Sequence, residues 1–384
     1  MSTIKELQQK YELDVFPKRD VVLVKGKGAH LWDEEGNEYI DCAAGIGVVN
    51  IGHANPKLAE ALKKQADTLI TCPGTFYNDT KAKALEKLIS VAPEGMTKAY
   101  LCNSGTEAVE TAIKFARYVT KKKGFISAMK GFHGRTLGAL SATYKLEYRE
   151  DFMPLIEGFT FVPFNNFEKL EAAITEETAG IILEPIQGEG GINIGNPEYF
   201  QKVRKLCDDK NIMLIIDEIQ TGFCRTGKFF ATEYLGIKPD MMTVAKSMGG
   251  GFPVGATLCS DKIQIPPGKH GTTFGGNPLA CSAAIASIDF MIENRLDEKA
   301  NELGAYFLEK ISQYELSKVR EIRIKGLMIG IEIKEKVQPL LQELMDRRIV
   351  ALPAGNTVLR LLPPLVISKE DIDIVVTNLA DVLK

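Results

Sequence analysis

Two apolar runs, each closed by a single charged side chain, constrain this chain more than any other feature. IMLIID ends at Asp217, and MMTVAK ends at Lys246, 29 residues later. That interval matches one strand, a crossover and a second strand, so the spacing predicts two neighbouring parallel strands. Asp217 and Lys246 are then expected at the same rim of the sheet, where open α/β sheets bind ligands. Taken singly, each has an ordinary explanation: Asp217 as a turn cap, Lys246 as a surface lysine.

The rest of the chain suits such a sheet. Its 384 residues are 45% hydrophobic and 25% charged, enough for one large domain and a smaller one. From about Lys98 to Ser260, KAYLC, FISAM, IILEP, IMLIID, MMTVA and GATLC read as strands, separated by stretches such as TEAVETAIKFARYVT and PEYFQKVRKLCDDKN that read as helices. After about Pro278 the pattern changes. ACSAAIASIDFMIENR reads as a helix, and IRIKGLMIGIEIK alternates through Ile322, Ile324, Leu327, Ile329, Ile331 and Ile333 as a half-buried strand pair. LWDEEGNEYIDC near the N-terminus reads as a hairpin expected to join the C-terminal part. The expected division is residues 1–55 and 278–384 in a small α+β domain and 56–277 in a large one built on the sheet.

Charge and cysteine usage exclude several classes. With 47 basic and 50 acidic residues interspersed, there is no footprint for nucleic acid or an anionic membrane. The N-terminus lacks an apolar leader core and no run is long enough to span a bilayer, so a cytoplasmic location is expected. Seven cysteines are scattered without a CxxC pair and read as reduced; the four histidines form no HExxH, so no metal site is expected. The default partner is a small molecule.

Other motifs then carry chemistry. In NSGTEAVETAIKFAR, Ser104 and Glu107 stand at capping-box spacing, and Gly105 permits close approach to first-turn amides, as a phosphate site needs; a plain helix cap would look the same. GFHGRT offers Phe132, an aromatic that could stack on a flat ring or fill the core, and Arg135, suited to a carboxylate. EPIQGEGG places Glu189 in a glycine-rich loop, and HGTTFGGNP presents Thr272 and Thr273 in a polar turn. A carboxylate and a lysine at one rim suit pyridoxal phosphate, which needs an amine for its aldehyde and an acid against its ring nitrogen.

The segment LIIDEIQTGFCRTG, with the lysine of TVAKSMGGG, resembles the signature of class III pyridoxal-phosphate aminotransferases, and the resemblance runs nearly the whole chain. It implies fold type I of the pyridoxal-phosphate-dependent transferases: α/β, a mostly parallel sheet in the large domain and a smaller α+β domain. It gives Lys246 to the cofactor aldehyde and to proton transfer, Asp217 to the ring nitrogen, Gln220 to the ring oxygen, Gly105 and Thr106 to the phosphate, and Phe132 to the ring face. Arg135 is assigned to the substrate carboxylate, and Glu189 to a gate formed with Arg360 of VLRLLPPLVI. Thr273 is assigned to the cofactor phosphate of a neighbouring subunit and Thr272 to the substrate region, which implies a homodimer. The implied reaction moves a terminal amine to 2-oxoglutarate in a ping-pong cycle.

Within that class, ornithine aminotransferases carry an aromatic where Ile46 stands and differ around GFHGRT. Those departures and the short length point to the acetylornithine branch, whose substrates are α-N-blocked diamines in arginine or lysine biosynthesis. ALPAGNTVLRLLPPLVI resembles the type whose ornithine or lysine precursors ride on a small acidic carrier protein, LysW, and such enzymes are expected to show a basic rim. An ornithine or 4-aminobutyrate ω-aminotransferase is the alternative. A mutase or decarboxylase would share Asp217 and Lys246, but Arg135, Glu189 and Arg360 favour transamination. A nucleoside triphosphatase is the rival from another class: Gly222–Lys228, GFCRTGK, matches GxxxxGK but is followed by Phe229 instead of Ser or Thr.

Overall fold

The structure, a computed structural model, describes residues 3–384. Its largest sheet has seven strands, in the order Lys98–Cys102, Gly255–Cys259, Met241–Val244, Met213–Asp217, Thr178–Leu183, Gly124–Ala128 and Phe159–Val162. Pairing is parallel throughout except at Gly255–Cys259, which is antiparallel to both neighbours. All six predicted strands are present. The seventh, Phe159–Val162, lies at an edge with only Val162 buried, and so short a run gives little periodic signal.

The continuous apolar runs follow from burial on both faces. Met213 and Ile215 face one core with Val109, Ala112, Ile113 and Ala116 of the Gly105–Thr120 helix. Leu214 and Ile216 face the other, with Tyr199, Phe200, Val203 and Leu206 of the Pro197–Lys210 helix. The strand that ends in Asp217 is thus clamped between two helical layers.

A second region combines the chain's ends. His30–Asp33 and Glu38–Asp41 form the expected antiparallel hairpin, and Glu38–Asp41 pairs in parallel with Ile349–Val350. Val319–Lys325 and Met328–Ile333 form the other hairpin, extended by Val358–Leu361 and Leu352–Ala354. The division expected at residue 278 does not coincide with packing. The Pro278–Glu293 helix lies against Pro56–Ala66, Asp79–Val91 and the Lys246–Gly249 turn, with the large sheet's layers. Its small residues Ala280, Ala283 and Ala284 are buried there.

Ile215 is fully buried in the central strand. Ile215→Ala is expected to cost about 2–5 kcal/mol by lost burial and a residual cavity, measured by urea unfolding.

Candidate functional site

A cavity of about 440 Å³ opens at the C-terminal ends of the parallel strands, in the size range of small-molecule sites. Asp217 is the last residue of Met213–Asp217, opposite Thr243 on the adjacent strand, and Lys246 follows that strand by two residues. Lys246 opens a short 3-10 turn with φ +44°, in the left-handed region that side chains other than glycine rarely occupy. The turn is pinned: the Ser247 hydroxyl donates to Gly47 O (2.9 Å), and the Ser287 hydroxyl donates to Ser247 O (3.0 Å). Burial lowers the Lys246 pKa, aided by Arg360 and opposed by Glu189 and Asp217, which favours the nucleophilic free amine.

The opposite wall is a helix start. Ser104 caps Gly105–Thr120 by accepting from Glu107 N, and Ser104, Gly105 and Thr106 line the cavity with first-turn amides that the helix cannot satisfy internally. The Glu107 carboxylate accepts from the Ser104 hydroxyl (3.1 Å) and from Asn103 N (2.7 Å), one residue earlier than a standard capping box. A Cβ at Gly105 would sit 2.8 Å from Ile219 Cδ1, so any larger residue there would have to displace the Ile219 side chain.

A buried relay stands behind Asp217. His133 Nδ1 lies 2.7 Å from Asp217 Oδ2, both residues at most 4% exposed. Burial disfavours the imidazolium, but the Asp217 hydrogen bond and charge outweigh it, and the His133 pKa is raised. The pair orients the carboxylate and leaves Oδ1 to accept from Ile219 N (3.0 Å). Glu184 straps the two sides of the site together, accepting from Phe132 N and Gly188 N, both at 3.1 Å. Burial pushes its pKa up to about 7, with Asp217 adding to the rise and His133 opposing it.

At the mouth, Arg360 Nη1 donates to Glu189 Oε1 (2.5 Å) and Gln220 Oε1 (3.1 Å). Arg360 is 2% exposed. Burial works against the Glu189 charge, but Arg360 outweighs it and holds the carboxyl below its usual range. Gln220 fits because Gly188 has no side chain: a Cβ there would fall 2.0 Å from Gln220 Oε1. Arg135 is exposed, with its guanidinium 3.6 Å from the Tyr148 ring centroid and 5.5 Å from that of half-buried Phe132.

Of the residues singled out in sequence, Gly105, Thr106, Phe132, Arg135, Glu189, Asp217, Gln220 and Lys246 line this one cavity, and Arg360 reaches it through Glu189 and Gln220. Thr272 and Thr273 do not. They are exposed on a turn outside this chain's cavity. Ile46 is also elsewhere, 47% exposed in a run of left-handed residues, and Val48 lines the cavity instead. His133 and Glu184 received no role from sequence, although His133 is adjacent to Phe132 and Glu184 ends a strand just as Asp217 does. The Gly222–Lys228 stretch forms turns followed only by a short 3-10 helix at Ala231–Tyr234, with no α-helix opening at Lys228, so it builds no phosphate cradle.

The chain matches the class-III aminotransferase family over residues 15–383. It is 46% identical over 381 residues to a [LysW]-aminoadipate semialdehyde transaminase from Deinococcus radiodurans, covering 98% of this chain and 89% of that protein. It is also 46% identical over 387 residues to an acetylornithine aminotransferase from Methanocaldococcus jannaschii, covering 98% and 97%. Among solved structures, an ornithine aminotransferase from Toxoplasma gondii with partial occupancy of PLP at its active site superposes with a TM-score of 0.93 at 32% identity, covering 99% of this chain and 94% of that one.

Glu184 supplies a pH prediction. Its folded pKa of about 7 exceeds the ordinary 4.5, so the folded state holds the extra proton between those values. Stability is then lost as pH rises through that window. Relative to Glu184→Gln, the wild type is expected to lose on the order of 3 kcal/mol from pH 4.5 to 7.5, read from urea midpoints; parallel pH profiles would show that Glu184 does not titrate there.

Proposed function

The chain belongs to the class-III aminotransferases, with the α/β architecture of fold type I, and on that premise we propose that it transfers the terminal amine of an α-N-blocked ornithine or lysine to 2-oxoglutarate, using pyridoxal phosphate. The observation that carries this reading is the convergence of Lys246, Asp217 and the Gly105–Thr106 helix start on one cavity. Their chemistry fits the cofactor: an amine of lowered pKa for the aldehyde, an orienting carboxylate for the ring nitrogen, unsatisfied amides for the phosphate, and Phe132 for the ring face. Bound there, pyridoxal phosphate supplies an electron sink for the carbon that loses its proton.

The protein's own side chains do the rest. Lys246 would hold the cofactor aldehyde and would move the proton at the substrate carbon, for which a lowered pKa is suited. Asp217, oriented by His133, would present its carboxylate to the ring nitrogen. Gln220, whose oxygen takes Arg360, would offer its amide nitrogen to the ring oxygen. Arg135 takes the substrate carboxylate. Glu189 neutralises Arg360 while the monoanionic donor is bound, and releases it when 2-oxoglutarate brings a second carboxylate.

What supports a blocked and extended donor is a second chamber of about 560 Å³ that shares Phe132 and Glu189 with the first. Lys130, Lys145 and Arg323 line it, so an acyl tail has room and an acidic carrier protein would meet basic side chains. Arg323, however, is already paired with Glu321 and Glu332, and Lys145 with Glu147, and free acetylornithine remains the simpler donor. The acidic carrier is therefore tested as an additional partner.

We also place Thr272 and Thr273 in the site of a second subunit. Exposed Leu69, Ile70, Phe76, Tyr77 and Phe274 support that reading, because Leu279 N donates to Ile70 O (3.3 Å) and brings the two segments together. Among the described residues no helix is long and apolar enough to cross a membrane, and all seven cysteines are unpaired, which supports a cytoplasmic location.

Borohydride reduction in the presence of pyridoxal phosphate is expected to attach the cofactor to the Lys246 peptide, read by mass spectrometry, and to leave Lys246→Ala unlabelled. Label on another lysine would overturn the assignment. With donors compared side by side, blocked diamines are expected to exceed ornithine and 4-aminobutyrate in kcat/KM by about tenfold or more, and a carrier-linked lysine to lose its advantage in Lys130→Glu/Lys145→Glu if the acidic carrier docks at the second chamber. Sedimentation is expected to show a dimer, with Phe274→Glu shifted toward monomer and depleted of bound cofactor.

A further inference from the structure

The GFCRTG stretch, which builds no nucleotide site, has Arg225 at its centre, and Arg225 is the largest of the fully buried side chains at 0% exposure. No carboxylate pairs with it among the described residues. Its Nη donors go to neutral oxygens on three separate segments, Nη1 to Leu327 O (3.0 Å) and Pro363 O (2.6 Å) and Nη2 to Asn50 Oδ1 (2.5 Å), while Nε is buried without a partner. Asn50 is itself fixed, donating from Nδ2 to Phe223 O (2.7 Å) and accepting at its carbonyl from Leu365 N (2.9 Å). Leu327 N returns a bond to Arg225 O (3.1 Å).

Burying a guanidinium without an acid is costly, so its place should be read from what it joins. Leu327 belongs to the turn between Val319–Lys325 and Met328–Ile333, and that turn presses on the Arg225 backbone: a Cβ at Gly326, φ +55°, would sit 2.5 Å from Thr226 C and 2.7 Å from Arg225 O. Pro363 lies three residues beyond Arg360. Gln220, five residues before Arg225, accepts from Arg360 at the cavity. Arg360 is therefore bracketed, its side chain on Gln220 and its strand end on Arg225.

We propose that Arg225 is a positioning residue for the second half of the reaction, a buried strut that sets where Arg360 stands relative to Asp217 and Gln220 and so governs affinity for the dicarboxylate acceptor. It touches neither substrate nor cofactor. The inference rests on the reading of Arg360 and Glu189 as the gate. An apolar side chain of similar length would fill the space but leave the oxygens of Leu327, Pro363 and Asn50 without this donor, allowing the Val358–Leu361 strand to shift against the Gln220 loop.

The test compares Arg225→Met, Arg225→Lys and Asn50→Leu with wild type, using KM for the amino donor, KM for 2-oxoglutarate, and calorimetric binding of glutarate to the cofactor-loaded protein. Arg225→Met is expected to raise KM for 2-oxoglutarate and weaken glutarate about tenfold or more, with donor KM changed by less than about threefold. Arg225→Lys should recover part of that loss. Asn50→Leu should show the same skew at smaller size, and it decides the matter if Arg225→Met does not fold. Equal changes toward both substrates, or none in a folded variant, would overturn the strut. Arg360→Ala separates the two claims: unchanged glutarate binding there removes the gate and the strut with it. Weakened binding in Arg360→Ala with normal binding in folded Arg225 and Asn50 variants removes the strut alone.

Discussion

The parallel pairing of Met213–Asp217 with Met241–Val244 is the constraint from which the site follows. Because the two strands run side by side in register, with Asp217 opposite Thr243, their charged endings must emerge together. Neither side chain needs a long loop to find the other. The two helical layers bury every residue of both strands and leave Asp217 only 4% exposed. Rigid backbone beneath both side chains is what would hold the geometry that the proposed proton transfer requires.

Around that fixed floor the charges are arranged by permanence. The His133–Asp217 pair and Glu184 are sealed and hold backbone and ring positions. The Arg360–Glu189 pair is different: Arg360 is buried, but Glu189 is half-buried on a glycine-rich loop. A pair with one buried member and one half-buried member on a loop could open without disturbing a strand or helix. On the proposed reading of the pair as a gate, opening it would present one net charge to a donor and another to an acceptor.

How much of this could be read from the residues depended on whether local sequence carried the cause. Strand identity was legible because both faces are apolar, and Lys246 with Asp217 because each interrupts such a run at its end. Gly105 and Thr106 were legible through the adjacent cap. His133 was not, since its meaning comes from a carboxylate 84 residues away. Glu184 looked like one more strand-end acid, and only its two backbone donors, from loops on opposite sides, reveal what it does. Ile46 drew attention by comparison with relatives, yet a left-handed run turns it away and brings Val48 to the wall. Arg225 was hidden for another reason: its partners are neutral oxygens on three segments, which leave no trace as charge pairing.

The left-handed backbone at Lys246 has a consequence for how such a chain can change over time. A side chain held at φ +44° carries strain of roughly 1–2 kcal/mol. Glycine would relieve that strain and abolish the amine in the same step. With Lys246 in the role proposed for it, selection for stability and selection for chemistry pull in opposite directions at this one position, and a lineage released from its reaction would have a downhill route to an inert descendant with the same fold.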